Sequence, residues 1–270
     1  MTAASPLLPN AVIWRRHTPR QIAERYAWTV GIALAAAWSI AALDIEWAFF
    51  ADAHVQAMDM AERMWPPRWD YFPKIVQPLI ETIHIATLGT AIAVVFSIPV
   101  AFLAARNTTA NGLTWLIGRA ILVGSRSVNT VIWGLIFVAI FGPGPVAGIA
   151  AVAARSVGFL AKLIAESIEE AHRGQIEAIE ATGASTAQVY LKAILPQVMP
   201  VLIGTTIYRW DINIRESSVL GFVGAGGIGL QLYASINQFA WQQVLLILMV
   251  IFVIVIASEW LSAKIRSKVT

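Results

Sequence analysis

Charge in this chain is confined to a few short stretches. Asp, Glu, Lys and Arg make up only 13% of its 270 residues. Between the places where they gather lie six apolar runs, at 27–47, 79–105, 115–141, 144–168, 197–218 and 241–261. A helix needs roughly 20 apolar residues to cross a bilayer, and a chain in lipid must satisfy its backbone hydrogen bonds internally. Soluble domains carry about a quarter charged residues, so this pattern, with a mean hydropathy of +0.68, excludes one. The expected fold is all-α: a polytopic membrane protein of about six transmembrane helices, with lipid as its first partner. Its 18 glycines and 12 prolines are compatible with that, both being commoner in membrane helices than in soluble ones. With no cysteine, a disulfide framework, a thiolate nucleophile and a zinc-thiolate site are excluded. The net charge of +3 comes from scattered loops, and no basic run has interleaved aromatics, so no nucleic-acid partner is expected.

Residues 1–26 read as a cytoplasmic segment. Arg15, Arg16, Arg20 and Arg25 precede the first apolar run, as in a signal peptide. That run is longer than the usual apolar core of about 7–15 residues, and Asp44, Glu46 and Trp47 follow where small residues would be needed. It is expected to stay as a first span, 27–47. An extracytoplasmic loop, 48–78, then leads to a core domain, 79–261, and a cytoplasmic tail, 262–270. Lys and Arg favour the cytoplasmic side. Arg106, Arg119, Lys162, Arg173, Lys192, Lys264, Arg266 and Lys268 join the N-terminal arginines there, against Arg63, Arg68, Lys74, Arg209 and Arg215 outside. Both termini are therefore expected in the cytoplasm of a bacterial plasma (inner) membrane. Trp28, Trp47, Trp210, Trp241 and Trp260 are expected near span ends.

One polar stretch falls between two spans on that same side: Glu177–Pro196, EAIEATGASTAQVYLKAILP, within a loop at 171–196. Glu177, Glu180 and Gln188 are spaced for one polar face. Ala178, Ala181 and Ala184 leave room for another protein to approach the backbone. Gly183 divides the stretch into two short helices, since Gly within a helix costs about 1 kcal/mol relative to Ala. Pro196 opens the next span, where its missing N–H is harmless. The other reading of these residues alone is an amphipathic helix on the membrane surface.

The spacing of Glu177, Ala178, Gly183, Leu195 and Pro196 resembles the coupling loop of ABC-importer permeases, with Ile179 and Ala193 as apolar departures from the usual pattern. The stretch Trp210–Leu230, WDINIRESSVLGFVGAGGIGL, and the run GPGPVAGIA followed by Gly158, Lys162, Glu166 and Glu169 resemble phosphonate-transporter permeases in particular, within a methionine-importer-like fold. That resemblance implies a membrane subunit with no catalytic site, which works as a pair, most simply a homodimer. Glu177, Ala178, Gly183, Ala184, Leu195 and Pro196 would meet two separate ATPase subunits. A phosphonate-binding protein would deliver cargo from outside. No cofactor is implied on this chain, ATP and Mg being held by the partner ATPase, and nothing matches G-x-x-x-x-G-K-[ST].

Gly224-Ala225-Gly226-Gly227-Ile228-Gly229 matches the dinucleotide fingerprint letter for letter. That fingerprint needs a preceding strand and an acid about 20 residues on; here a span precedes, and the next acid is Glu259. Gly224, Gly226, Gly227 and Gly229 instead imply tight turning and close packing at a gate within the membrane. Charge at the bilayer centre costs at least about 2.5–3.5 kcal/mol and faces the protein interior or a watery path. Arg126, Asn129, Arg155 and Arg215 are candidates to line that path, guanidinium being suited to phosphoryl oxygens. The alternative is internal pairing, Arg215 with Asp211, and Arg155 with a carbonyl or Glu81. Glu81 and His84 lack metal-ligand spacing and are expected to serve helix packing, so no metal site is expected. The function implied is translocation of a phosphonate or related phosphorus oxyanion. The alternatives are a permease for another small solute such as methionine, told apart by an apolar rather than arginine-lined cavity, or an ion-gradient-driven secondary transporter, which would show paired broken helices.

Overall fold

The computed structural model describes residues 18–43 and 46–267. Within them the chain forms eleven α-helices and no strand. Two units are distinguished, residues 1–59 and 60–270. The first holds α1 (Pro19–Ala42), opened by a capping box between Thr18 and Gln21, and most of α2 (Ala48–Met64). The stretch expected as an outer loop thus begins as a helix.

The second unit is a helical bundle. Its long members are α3 (Phe72–Ala104), α6 (Pro145–Glu169), α9 (Leu195–Leu220) and α11 (Trp241–Arg266). Each belongs to a helical stretch long and apolar enough to cross a membrane, the stretch around α9 running from Thr186 to Val223. The helix α1 is not among them. The expected boundaries of α6, α9 and α11 fall within a few residues of the observed ones, with Pro145 and Pro196 in the first turns of α6 and α9, where a missing N–H is tolerated. The helix α3 begins seven residues before the expected start, with Pro73 in its first turn.

The third apolar run departs from expectation. Instead of one span it is two helices, α4 (Gly112–Ser127) and α5 (Thr130–Phe141), bent by 96° at the break. Asn129 caps α5 by accepting from the Val131 N–H at 3.1 Å, a side-chain cap that competes with continuing the helix.

Small residues hold the bundle together. Gly89 of α3 lies so close to α6 that an added Cβ would be 2.6 Å from the Val152 side chain. Ala86, Ala93, Ala147 and Ala151 are fully buried along the same seam. Lipid offers no hydrophobic drive to helix association, so close backbone approach and dispersion contacts carry it. Between α6 and α9 lie the short helices α7 (Arg173–Glu180) and α8 (Thr186–Val189). A π-helical turn, Tyr190–Ile194, joins α8 to α9. After α9, a glycine loop leads into α10 (Ile228–Asn237).

Candidate functional site

The lower half of the site is the loop between α6 and α9. Gly183 has φ +77° with open space around it, and it separates α7 from α8 as expected. Glu177, Ala178, Glu180 and Gly183 are exposed, and α7 buries no residue fully. A cavity of about 380 Å³ opens here, lined by Asn107, Arg173, Glu177, Glu180, Ala184 and Thr186 among others. Gln188 does not join that face. Its Oε1 accepts from the Ser185 N–H at 2.9 Å, closing a capping box. Leu195 and Pro196 lie behind the π turn as the first residues of α9, Leu195 half-buried and Pro196 exposed. The loop is anchored at its margins. The His172 N–H donates to Gln197 Oε1 at 2.9 Å, and the Tyr190 hydroxyl donates to the Thr108 carbonyl at 3.1 Å.

The glycine loop lies deep in the bundle. Gly224, Gly226 and Gly227 have φ of +82°, +81° and +76°, a left-handed region that costs other residues about 1–2 kcal/mol. Gly229 has negative φ but no room: an added Cβ would be 2.3 Å from the Ser218 carbonyl oxygen. The loop's exposed N–H groups are met by α3. Glu81 Oε1 accepts from the Gly227 N–H at 2.9 Å, and Thr82 Oγ1 accepts from the Ile228 N–H at 2.8 Å. On the other side the Gly144 N–H donates to the Gly224 carbonyl at 2.9 Å. Irregular backbone at membrane depth is tolerated when protein satisfies it in this way. Helix α9 and a 3₁₀ turn precede the loop, so no strand stands where a dinucleotide fold needs one.

Between these two regions sits a network of charge that sequence reasoning found only in part. Arg209, Asp211, Arg215 and Glu216 all lie inside α9, so Arg209 and Arg215 are not loop residues of the outer side. Trp210 is likewise mid-helix, its indole N–H donating to Thr87 Oγ1 at 3.0 Å. Arg209 is buried to 4% side-chain exposure. Its Nη2 lies 3.2 Å from Glu216 Oε2, its Nε donates to Ser156 Oγ at 3.0 Å, and its guanidinium stacks over the Phe159 ring at 5.3 Å. Arg155 reaches the same carboxylate from α6, Nε to Glu216 Oε1 at 3.6 Å, while its Nη1 donates to the Val128 carbonyl at 3.2 Å. The Thr130 hydroxyl, at the start of α5, also donates to Glu216 Oε2. Fully buried Asn213 extends the network, its Nδ2 donating to Thr90 Oγ1 at 2.7 Å and its Oδ1 accepting from Ser156 Oγ at 3.2 Å.

The candidate path residues therefore fall into separate groups. Arg155 joins Glu216 and the Val128 carbonyl, while Glu81 is engaged with the glycine loop. Arg215 pairs with Asp211 as its i,i+4 spacing suggested, and Asp211 also accepts from Ser258 Oγ at 2.6 Å. Arg126 is exposed and lines a different cavity, of about 430 Å³, with Arg119, Ser127 and Lys162 on α4 and α6. Asn129 is exposed and serves as a cap. His84 is exposed as well. Arg209 and Glu216 were not singled out by the sequence. The available signal was their spacing of seven, which puts opposite charges on one face of a helix two turns apart.

Among the described residues, an all-helical bundle with four helices long and apolar enough to cross a membrane, a broken fifth pair and interior charge marks a multi-pass membrane protein. Residues 97–270 match the family described as binding-protein-dependent transport system inner membrane component, and the chain belongs to that family. It is 40% identical over 236 residues to the phosphite transport system permease protein PtxC of Stutzerimonas stutzeri, covering 87% of this chain and 85% of that one. It is 41% identical over 207 residues to the phosphate-import permease protein PhnE of Mycolicibacterium smegmatis, covering 76% of this chain and 39% of that one. The fold matches a subunit of the MetNI methionine ABC transporter in an inward-facing conformation, with a TM-score of 0.65 at 22% identity over 75% of this chain and 99% of that one.

Proposed function

We propose that this chain is one of two identical permease subunits in an ATP-driven importer for a small phosphorus oxyanion, with both termini in the cytoplasm. The observation that carries this reading is a surplus of cations at the candidate path. Among the described residues, Arg155, Arg209 and Arg215 pair with just two carboxylates, Glu216 and Asp211, and the neighbouring cavity is lined by Arg119, Arg126 and Lys162, of which Lys162 pairs with Glu166. An anion leaving water needs such compensation, and guanidinium groups supply it with directed hydrogen bonds. The cargo named for the two relatives described above, phosphite and phosphate, is of this kind. An arginine-lined cavity favours an oxyanion over methionine, whose side chain asks for apolar walls.

Exposed α7 and its acidic cavity supply the docking surface for a separate ATPase, a reading supported by the lack of any match to the P-loop motif in this sequence. An extracytoplasmic binding protein delivers the anion. ATP binding and hydrolysis bias the pair of subunits between outward-open and inward-open states, each step drawing on a difference in affinity between them. Glu81, Thr82 and the glycine loop form the packed gate, and Arg126, Arg155 and Arg215 line the route.

The test is reconstitution of the chain with its ATPase and binding protein in liposomes, measuring ATP hydrolysis and uptake with phosphite, phosphonate, phosphate and methionine. Stimulation by a phosphorus oxyanion, abolished by Glu177→Lys, is the expected result. Stimulation by methionine alone sinks the cargo assignment. Normal coupling in Glu177→Lys sinks the docking assignment.

A further inference from the structure

The contacts around Glu216 are asymmetric. Each donor that holds the carboxylate has a second anchor of its own. Arg155 is tied to the Val128 carbonyl, and Arg209 to Ser156 Oγ and the Phe159 ring. Thr130 is 2% exposed and fixed at the first turn of α5. Among the described residues, these three groups hold the Glu216 carboxylate. The cradle is thus held by the bundle, and the carboxylate is held by the cradle. It also stands at the N-terminus of α5, a helix of 12 residues, where the helix dipole favours an anion. The cradle is not sealed, since the Arg155 and Glu216 side chains keep 29% and 23% of their surface exposed. The nearby Asp211 is built the other way. It is 6% exposed and held by Ser258 as well as Arg215, while Arg215 is the exposed member at 46%.

We infer that Glu216 is a tethered internal counter-anion: it occupies an oxyanion-binding cradle made by Arg155, Arg209 and Thr130, and a transported phosphorus oxyanion takes that place by displacing it. This rests on the reading of the chain as a phosphorus-oxyanion permease. A carboxylate and a phosphorus oxyanion present similar oxygens to guanidinium and hydroxyl donors. With the path empty, two guanidinium groups without a counter-charge at this depth would be costly, or would retain any small anion indefinitely. A tethered carboxylate keeps the charge balanced, and it makes cargo binding an exchange of one anion for another. The site then binds cargo weakly enough to release it.

The experiment uses the complete permease–ATPase assembly in nanodiscs without ATP or binding protein, and radiolabelled orthophosphate as the probe in equilibrium dialysis. Glu216→Gln keeps the shape and removes the competing charge, and it is expected to bind orthophosphate at least tenfold more tightly than wild type. Arg155→Gln is expected to lose binding. The charge-balanced double variant Arg155→Gln/Glu216→Gln should fall back to wild-type binding or weaker. Glu24→Gln, which removes an exposed carboxylate in α1, should bind as wild type does. An assembled Glu216→Gln with wild-type affinity overturns the inference. Should that variant fail to assemble, Glu216→Asp replaces it, the shorter side chain reaching the cradle less well; tighter binding supports the inference, and unchanged binding overturns it. The cargo reading fails separately. If Glu216→Gln gains affinity while wild-type liposomes take up methionine and no phosphorus oxyanion, the cradle stands and the cargo assignment falls.

Discussion

The α7–α8 segment and the ionic network around Glu216 are both polar regions in an apolar chain, and they are built on opposite terms. In the segment, Glu177 and Glu180 face a cavity and Gly183 has no neighbouring atom within 4 Å of where a Cβ would stand. In the network, Arg209, Asn213 and Ser156 are buried and joined by hydrogen bonds to one another or to neighbouring helices. A polar surface left open is available to a partner outside the chain, as the proposed docking requires. The buried members of such a network contribute to the fold, so changing Arg209 costs stability first, whereas the Glu216 side chain keeps 23% of its surface exposed.

This contrast can be broken by four substitutions read in purified protein, by thermal unfolding in detergent and by coupled ATPase activity. Arg209→Met removes a buried guanidinium from Glu216 and Ser156, and it should destabilise the bundle by about 3 kcal/mol, the low end for breaking a buried pair because Arg155 and Thr130 still hold the carboxylate. Gly229→Ala forces a Cβ against the Ser218 carbonyl and should cost about 1–3 kcal/mol, as overpacking does, with a lower unfolding temperature. Gly183→Ala meets open space but a left-handed φ, so about 1 kcal/mol of strain is expected, with weakened coupling and an intact bundle. Glu177→Lys should change stability by no more than about 0.5 kcal/mol, as surface substitutions do, while abolishing cargo-stimulated ATP hydrolysis. A Glu177→Lys protein that unfolds as readily as Arg209→Met would erase the distinction.

The sequence made the segment legible and the network nearly invisible, for physical reasons. Gly183, Pro196 and the acidic face act locally, through backbone conformation and solvation, so spacing alone conveys them. The ends of α6 and α11 were readable because the change in apolar content there coincides with Pro145 and Trp241. In α9 the bounds were readable but the charges were not. Arg209 and Arg215 read as outer-side residues, because each of the charges between Arg209 and Glu216 is costly in lipid when considered singly. Their partners, Ser156, Arg155, Thr130 and Ser258, come from other helices that no spacing rule connects to α9. The break between α4 and α5 was hidden in the same way. The run 115–141 stays apolar on average, and the interruption consists of three polar residues, Ser127, Asn129 and Thr130, of which Asn129 turns the chain by capping.

The π turn at Tyr190–Ile194 gives the two regions a mechanical relation. From Thr186 to Val223 the chain is one continuous helical rod, with Val189 at the coupling end and Glu216 near the other. At about 1.5 Å per residue those two positions are about 40 Å apart. A rod of that length turns a small tilt at its foot into a displacement of several ångströms at its head. Two places let it yield: the wide turn at Tyr190–Ile194, and Pro200, which removes one hydrogen bond within α9. Under the proposed coupling, a push delivered at the α8 end would reach the carboxylate as leverage, with no relay of intervening side chains needed to carry it.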